Sequence, residues 1–163
     1  FHEADPNLDF GSEVAGLGDV DGDGHADFLV CAPAISSAGR EPGQVHVFSG
    51  RTGRTLYELR GDRPGDGFGA RVCALPWYCR PDELRGGPIG NGYVRIFLAA
   101  DGQPVQTSAG GGALPFASAL VDLGDRDGDG FRDLGALART QASATLRILH
   151  YGQTPLDQRR TLR

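Results

Sequence analysis

The sequence predicts an all-β fold built from β-propeller-type blades of antiparallel strands. Three observations carry that expectation. Glycine at 26 and proline at 10 of 163 residues call for many tight turns, while an apolar share of 39% stays in the globular range. Apolar residues alternate with period two in short runs bounded by glycine, as in Val45-His46-Val47-Phe48 and Leu56-Tyr57-Glu58-Leu59. The chain also repeats itself, which is the mark of a modular architecture.

The repeat defines the organisation. Phe10-Gly11-Ser12-Glu13-Val14-Ala15-Gly16-Leu17 matches Phe68-Gly69-Ala70-Arg71-Val72-Cys73-Ala74-Leu75 and, more weakly, Phe116-Ala117-Ser118-Ala119-Leu120-Val121-Asp122-Leu123. Further on, Gly43 to Phe48 corresponds to Asn91 to Phe97 and, more weakly, to Thr145 to His150. The expected organisation is one repeat domain with units at 10–67, 68–115 and 116–163. In chain order the strands are expected at Val14 to Leu17, Phe28 to Ala32, Val45 to Phe48, Leu56 to Leu59, Val94 to Leu98, Leu134 to Leu137 and Leu146 to Leu149. The chain ends near Thr161-Leu162-Arg163, inside a further strand, and no segment reads as a helix. Three or four strands per unit is the content of a propeller blade. Three units leave an open arc, so the expectation is either a part of a longer propeller or a ring completed by association of copies.

The outer units each carry an acidic loop that joins strands and runs into a strand-like segment. In Asp19-Val20-Asp21-Gly22-Asp23-Gly24-His25-Ala26-Asp27, carboxylates fall at positions 1, 3, 5 and 9, and Asp125, Asp127, Asp129 and Asp133 repeat that spacing. Calcium takes six to eight hard oxygen ligands, and acids at alternate positions can wrap around one ion. The backbone carbonyl at position 7, from His25 or Phe131, is the expected fifth ligand. Gly24 and Gly130 stand at position 6, where a sharp turn favours a positive φ. Four carboxylates in so short a loop repel one another unless a cation sits among them. An EF-hand would need a bidentate Glu at position 12 and flanking helices, whereas Val30 and Ala136 stand there within strand-like runs. The second unit runs from its Phe-Gly copy straight into Pro76-Trp77-Tyr78-Cys79 and has no such loop.

Phe-Gly, then Gly-Asp-x-Asp-Gly-Asp-Gly-x-x-Asp, then a strand ending in Ala32-Pro33, then Gly43-x-Val45-x-Val47-Phe48 resembles the FG-GAP repeats of integrin α-subunit propellers and of many secreted bacterial proteins. The resemblance covers essentially the whole chain. It implies blades that carry calcium in a hairpin loop, used in adhesion or protein recognition outside the cell. Asp19, Asp21, Asp23, the His25 backbone and Asp27 would then be ligands to one ion. Asp125, Asp127, Asp129, the Phe131 backbone and Asp133 would hold the other. Phe116-Ala117 departs from the Phe-Gly pair.

Charge narrows the partners. Of 21 acidic residues, eight lie in the two loops, and outside them acids are fewer than the 16 Lys and Arg. The formal charge of -5 is therefore local, and no basic stripe of the kind that binds nucleic acid is present. No run approaches the roughly 18 apolar residues needed to span a bilayer. Phe1-His2-Glu3-Ala4-Asp5 is not a signal peptide, and a chain without methionine reads as a mature or excised one. Cys73 and Cys79 could close a small loop, or all three cysteines could be buried small hydrophobes. The expected protein is secreted or held at a cell surface, non-enzymatic, with an unknown protein or glycan ligand and with homo-oligomerisation as one way to complete a ring. Two other functions compete with adhesion. A lectin-like propeller would use Trp77, Tyr78 and Tyr93 as a sugar platform; an accessory segment of a secreted enzyme would need an acid-base pair, for which His25 and His46 are poor candidates.

Overall fold

The computed structural model describes residues 9–34, 41–65, 67–73, 78–79, 93–109, 118–129, 132–139, 143–150 and 158–162. Among them there are strands and turns but no helix. Strands β1 (Val14–Gly18), β2 (Asp27–Ala32), β3 (Gln44–Phe48) and β4 (Thr55–Arg60) form one antiparallel sheet in the order of the chain. Strands β5 (Tyr78–Cys79), β6 (Tyr93–Leu98) and β7 (Pro104–Ala109) form a second. The third holds β8 (Ala119–Gly124), β9 (Asp133–Arg139), β10 (Ala144–Leu149) and β11 (Gln158–Leu162). Each is a meander of neighbouring strands, as in a propeller blade, and none closes on itself.

Short, largely apolar runs locate the central strands β2 and β3 because both of their faces are covered. The edges are harder to read. Pro104-Val105-Gln106-Thr107-Ser108-Ala109 is half polar and does not alternate, and as β7 it pairs on one side only, with β6. Proline is tolerated there because an edge strand has a free N–H side. In β8 the run Ala119-Leu120-Val121 is apolar throughout, and Val121 faces solvent.

The sheets stack through their faces. Leu29, Cys31, Val45, Val47 and Leu59 line one side of the first sheet and are buried with Phe68, Phe97 and Ala99 from the second repeat. The pairings Leu29↔Val47, Cys31↔Val45 and Val45↔Leu59 hold these side chains side by side. The middle strand β6 uses both faces. Tyr93 and Phe97 point to the first sheet's core, whereas Val94 is buried with Leu134, Ala136, Ala138 and Leu149 of the third. Period-two alternation in one strand thus connects two cores.

The second Phe-Gly pair is the wedge between the first two sheets. Phe68 is fully buried, meets Phe97 edge to face at 6.0 Å between centroids, and donates its backbone N–H to the Pro42 carbonyl at 3.0 Å. Gly69 has φ +87°, and a Cβ there would lie 2.9 Å from the Gln44 carbonyl oxygen. Conformation and space both require glycine at that point.

Candidate metal centres

Each acidic loop begins where strand pairing is forced to stop. In the first sheet the register shifts between Gly16 and Gly18, and Gly18 faces Asp27 as the last pair. In the third it shifts between Asp122 and Gly124, and Gly124 faces Asp133. Gly18 and Gly124 both have positive φ, near +74° and +69°, so the chain turns out of the sheet at the same step in each.

Within the first loop the carboxylates replace the lost ladder as hydrogen-bond acceptors. Asp19 accepts the N–H of Gly22 at 2.8 Å through Oδ1 and that of Gly24 at 2.8 Å through Oδ2. Asp21 Oδ1 accepts from the Asp23 amide at 3.0 Å, and Asp23 Oδ1 from the His25 amide at 2.9 Å. Gly24 has φ +85°, as position 6 demands, and Gly22 at position 4 has φ +79° as well. Asp27 is buried. Its Oδ2 accepts the Val20 N–H at 2.7 Å and its Oδ1 the Gly50 N–H at 2.9 Å, which ties the start of the loop to the β3–β4 turn.

Asp19, Asp21 and Asp27 bring one oxygen each to within 4.8 Å of one another. Calcium–oxygen distances of about 2.3–2.6 Å place opposite ligands about 5 Å apart, so these three oxygens fit around a single ion. Asp23 lies outside that group. His25 presents its amide to Asp23, and its side chain is exposed.

The loop of the third sheet repeats the same bonds. Asp125 Oδ1 accepts the Gly128 amide at 2.7 Å, Asp127 Oδ1 the Asp129 amide at 3.3 Å, and buried Asp133 Oδ2 the Arg126 amide at 2.9 Å. Asp125, Asp127 and Asp129 converge here, at positions 1, 3 and 5, whereas the first group uses positions 1, 3 and 9. Gly130 and Phe131 lie outside the described residues. Beside the loop, Arg132 grips Asp122 through Nε at 2.8 Å, and this hydrogen bond holds the Asp122 carboxyl below the ordinary carboxylate range. The pair fastens the end of β8 to the start of β9.

One residue was invisible to motif reading. His150 follows β10 and places Nδ1 3.0 Å from Asp127 Oδ2 and 2.7 Å from Asp133 Oδ1. The signal lies in register rather than spacing: Leu149 pairs with Leu134, which puts the next residue of β10 beside Asp133. At the matching place in the first sheet Phe48 pairs with Phe28, and Ser49 follows. His46, by contrast, is a packing residue, buried and stacked on Phe48. Tyr93 packs against the first core and lies under the Arg95 guanidinium at 5.0 Å. Trp77 and the side chains of Tyr78 and Cys79 lie outside the described residues, and with them the Cys73–Cys79 pairing and the aromatic platform.

With this geometry in place, the relatives are informative. Residues 10–48 match the model of the FG-GAP repeat. The chain is also similar to integrin alpha-4 of Xenopus laevis, at 32% identity over 160 residues, an alignment that takes in 84% of this chain and 15% of that protein. The chain therefore spans a small part of the length of the curated relative that it matches. Residues 10–48 hold the first Phe-Gly turn, the first aspartate loop and the strands β1, β2 and β3 that carry them, and the integrin likeness runs on well beyond them. This chain is an FG-GAP repeat protein of the integrin-like kind.

Proposed function

We propose that these blades belong to an extracellular, non-catalytic β-propeller, stabilised by calcium in two loops and used for adhesion or protein recognition. The observation that supports the reading most is the convergence of Asp19, Asp21 and Asp27 on one point, with the same backbone bonds repeated around Asp125, Asp127 and Asp133. Asp19, Asp21, Asp23, the His25 carbonyl and Asp27 form the first ligand set; Asp125, Asp127, Asp129, the Phe131 carbonyl and Asp133 form the second. The ion neutralises carboxylates that otherwise repel one another and locks the β1–β2 and β8–β9 connections. Likeness to an integrin supports the extracellular and adhesive parts of the reading.

Calcium titration tests it. Isothermal calorimetry is expected to give two calcium ions per chain, and EDTA to lower the melting temperature until calcium is restored. A chain that binds no calcium and melts identically in EDTA would sink the proposal. Three sheets make an arc, so further blades come from a second copy or from a longer chain. Light scattering at micromolar concentration separates the two, since association of copies predicts a dimer.

A further inference from the structure

The aspartate at position 9 of each loop is attached to more than its own loop. In the first, Asp27 gives Oδ2 to the Val20 N–H, inside the loop, and Oδ1 to the Gly50 N–H, in the turn between β3 and β4. Asp133 of the third sheet divides its oxygens in the same way: Oδ2 accepts the Arg126 N–H, and Oδ1 stands 2.7 Å from Nδ1 of His150, which follows β10. In both sheets one oxygen serves the loop and the other reaches the segment after the blade's third strand.

The turn of the first sheet is a closed unit. The Gly53 N–H bonds the Ser49 carbonyl at 2.8 Å, the Ser49 N–H the Arg54 carbonyl at 2.9 Å and the Thr52 N–H the Ser49 Oγ at 3.2 Å. It rests backbone to backbone on the acidic loop, since a Cβ at Gly50 would fall 1.8 Å from the Ala26 carbonyl oxygen. Ala26 and Asp27, at positions 8 and 9, therefore both bear on Gly50, while Asp27 also brings an oxygen to the group it forms with Asp19 and Asp21. With no cation among them these carboxylates push one another apart. Asp27 cannot yield to that push without pulling on the Gly50 amide.

We infer that the β3–β4 turn, Ser49 to Arg54, is coupled through Asp27 to cation occupancy of the first loop. A bound ion fixes the carboxylate on which the turn docks, and the docked turn in return favours the ion. The inference rests on the calcium reading of the loop and adds to it a segment that supplies none of the expected ligands. Coupling of this kind is reciprocal, because one free energy is seen from either end. The turn exposes Arg51, Thr52 and Arg54, so the ion sets the order of a stretch of surface beyond its own loop.

The test follows amide resonances of the whole chain through a calcium titration, with Gly22 and Gly24 reporting the first loop and Gly128 the third, and then measures hydrogen exchange. Calcium is expected to slow exchange of the Gly50 and Gly53 amides about 5-fold or more relative to EDTA. In the reverse direction, Ser49→Ala removes the acceptor of the Thr52 N–H, and Gly50→Ala prevents docking on Ala26. Each is expected to weaken calcium at the first loop about 5-fold or more and to leave the third-sheet loop unchanged. Should Gly50→Ala fail to fold, the milder Ser49→Ala and the exchange rates of the unaltered chain decide. Calcium that fills the first loop with exchange at Gly50 and Gly53 unmoved, or with equal affinity in the variants, would overturn the coupling and leave the calcium reading standing. Equal losses at both loops would overturn it as well, since they mark a general loosening of the fold. If no calcium enters the first loop, the calcium reading falls and the coupling with it.

Discussion

Asp27 and Asp133 combine two tasks that are usually separate. Each closes its loop by accepting a backbone N–H from the residue after position 1, and Asp27 also converges with Asp19 and Asp21, as Asp133 does with Asp127 and His150. Being buried, they are costly to leave without partners, whereas Asp21 sits in water. Substitutions at these two positions in the first loop therefore separate structure from ion binding. Asp27→Ala leaves the Val20 and Gly50 amides without their acceptor and is expected to destabilise the protein even in EDTA, by about 1–3 kcal/mol per bare donor. Asp21→Ala is expected to match the parent within about 0.5 kcal/mol in EDTA and to lose the calcium-dependent increment of the first site. Urea unfolding with and without calcium reads both effects, and equal behaviour of the two variants would contradict the division of labour.

At the scale of the element, the Phe-Gly pair and the aspartate loop are separate devices. The loop finishes a hairpin within one sheet, but Phe68-Gly69 holds one sheet to the next. Phe68→Ala would leave a cavity among Leu29, Val45 and Phe97, and a loss of about 3–5 kcal/mol is expected. Gly69→Ala is expected to destabilise as well, because its Cβ would press on the Gln44 carbonyl in a left-handed conformation. Val14, which is 59% exposed on an edge strand, is the control: its change to alanine is expected to stay within about 0.5 kcal/mol. Melting temperatures of the three variants, measured in the same calcium buffer, order these effects.

The whole molecule is held by contacts that cross between sheets. The Tyr57 hydroxyl donates to the Ala99 carbonyl, the Val72 amide donates to Glu13 at 3.0 Å, and Arg95 of β6 pairs with Asp62 beyond β4. The hydrogen bond from Arg95 holds the Asp62 carboxyl below its ordinary range. A depressed carboxyl contributes its stability above the unfolded pKa, about 3.9, and loses it as pH falls through the lower folded value. Asp62→Asn is accordingly expected to be less stable than the parent at pH 6, with the gap narrowing towards pH 3. Asp62 is exposed although Arg95 is not, so the difference is modest and shrinks in high salt. Calcium acts over the same scale. At ten times its Kd, each site is expected to add roughly 1.4 kcal/mol through linkage, and magnesium to substitute poorly because it demands a stricter octahedron.

The aspartate loops and the central strands were legible in the sequence because their information is local. Alternate carboxylates with glycines between them can be counted along nine residues, and short apolar or alternating runs mark strands covered on two faces or on one. The half-polar edge strand β7 left no such trace, since pairing on one side only places few demands on its side chains. Only the tertiary structure decided which carboxylates converge, that Phe68 closes the space between two sheets, and that His150 joins Asp127 and Asp133. The last of these depends on one register, Leu149 opposite Leu134, and on a bulge that turns β8 into its loop. A shift of one residue in that register would carry the imidazole to the other face of the sheet, and no spacing along the chain records that choice.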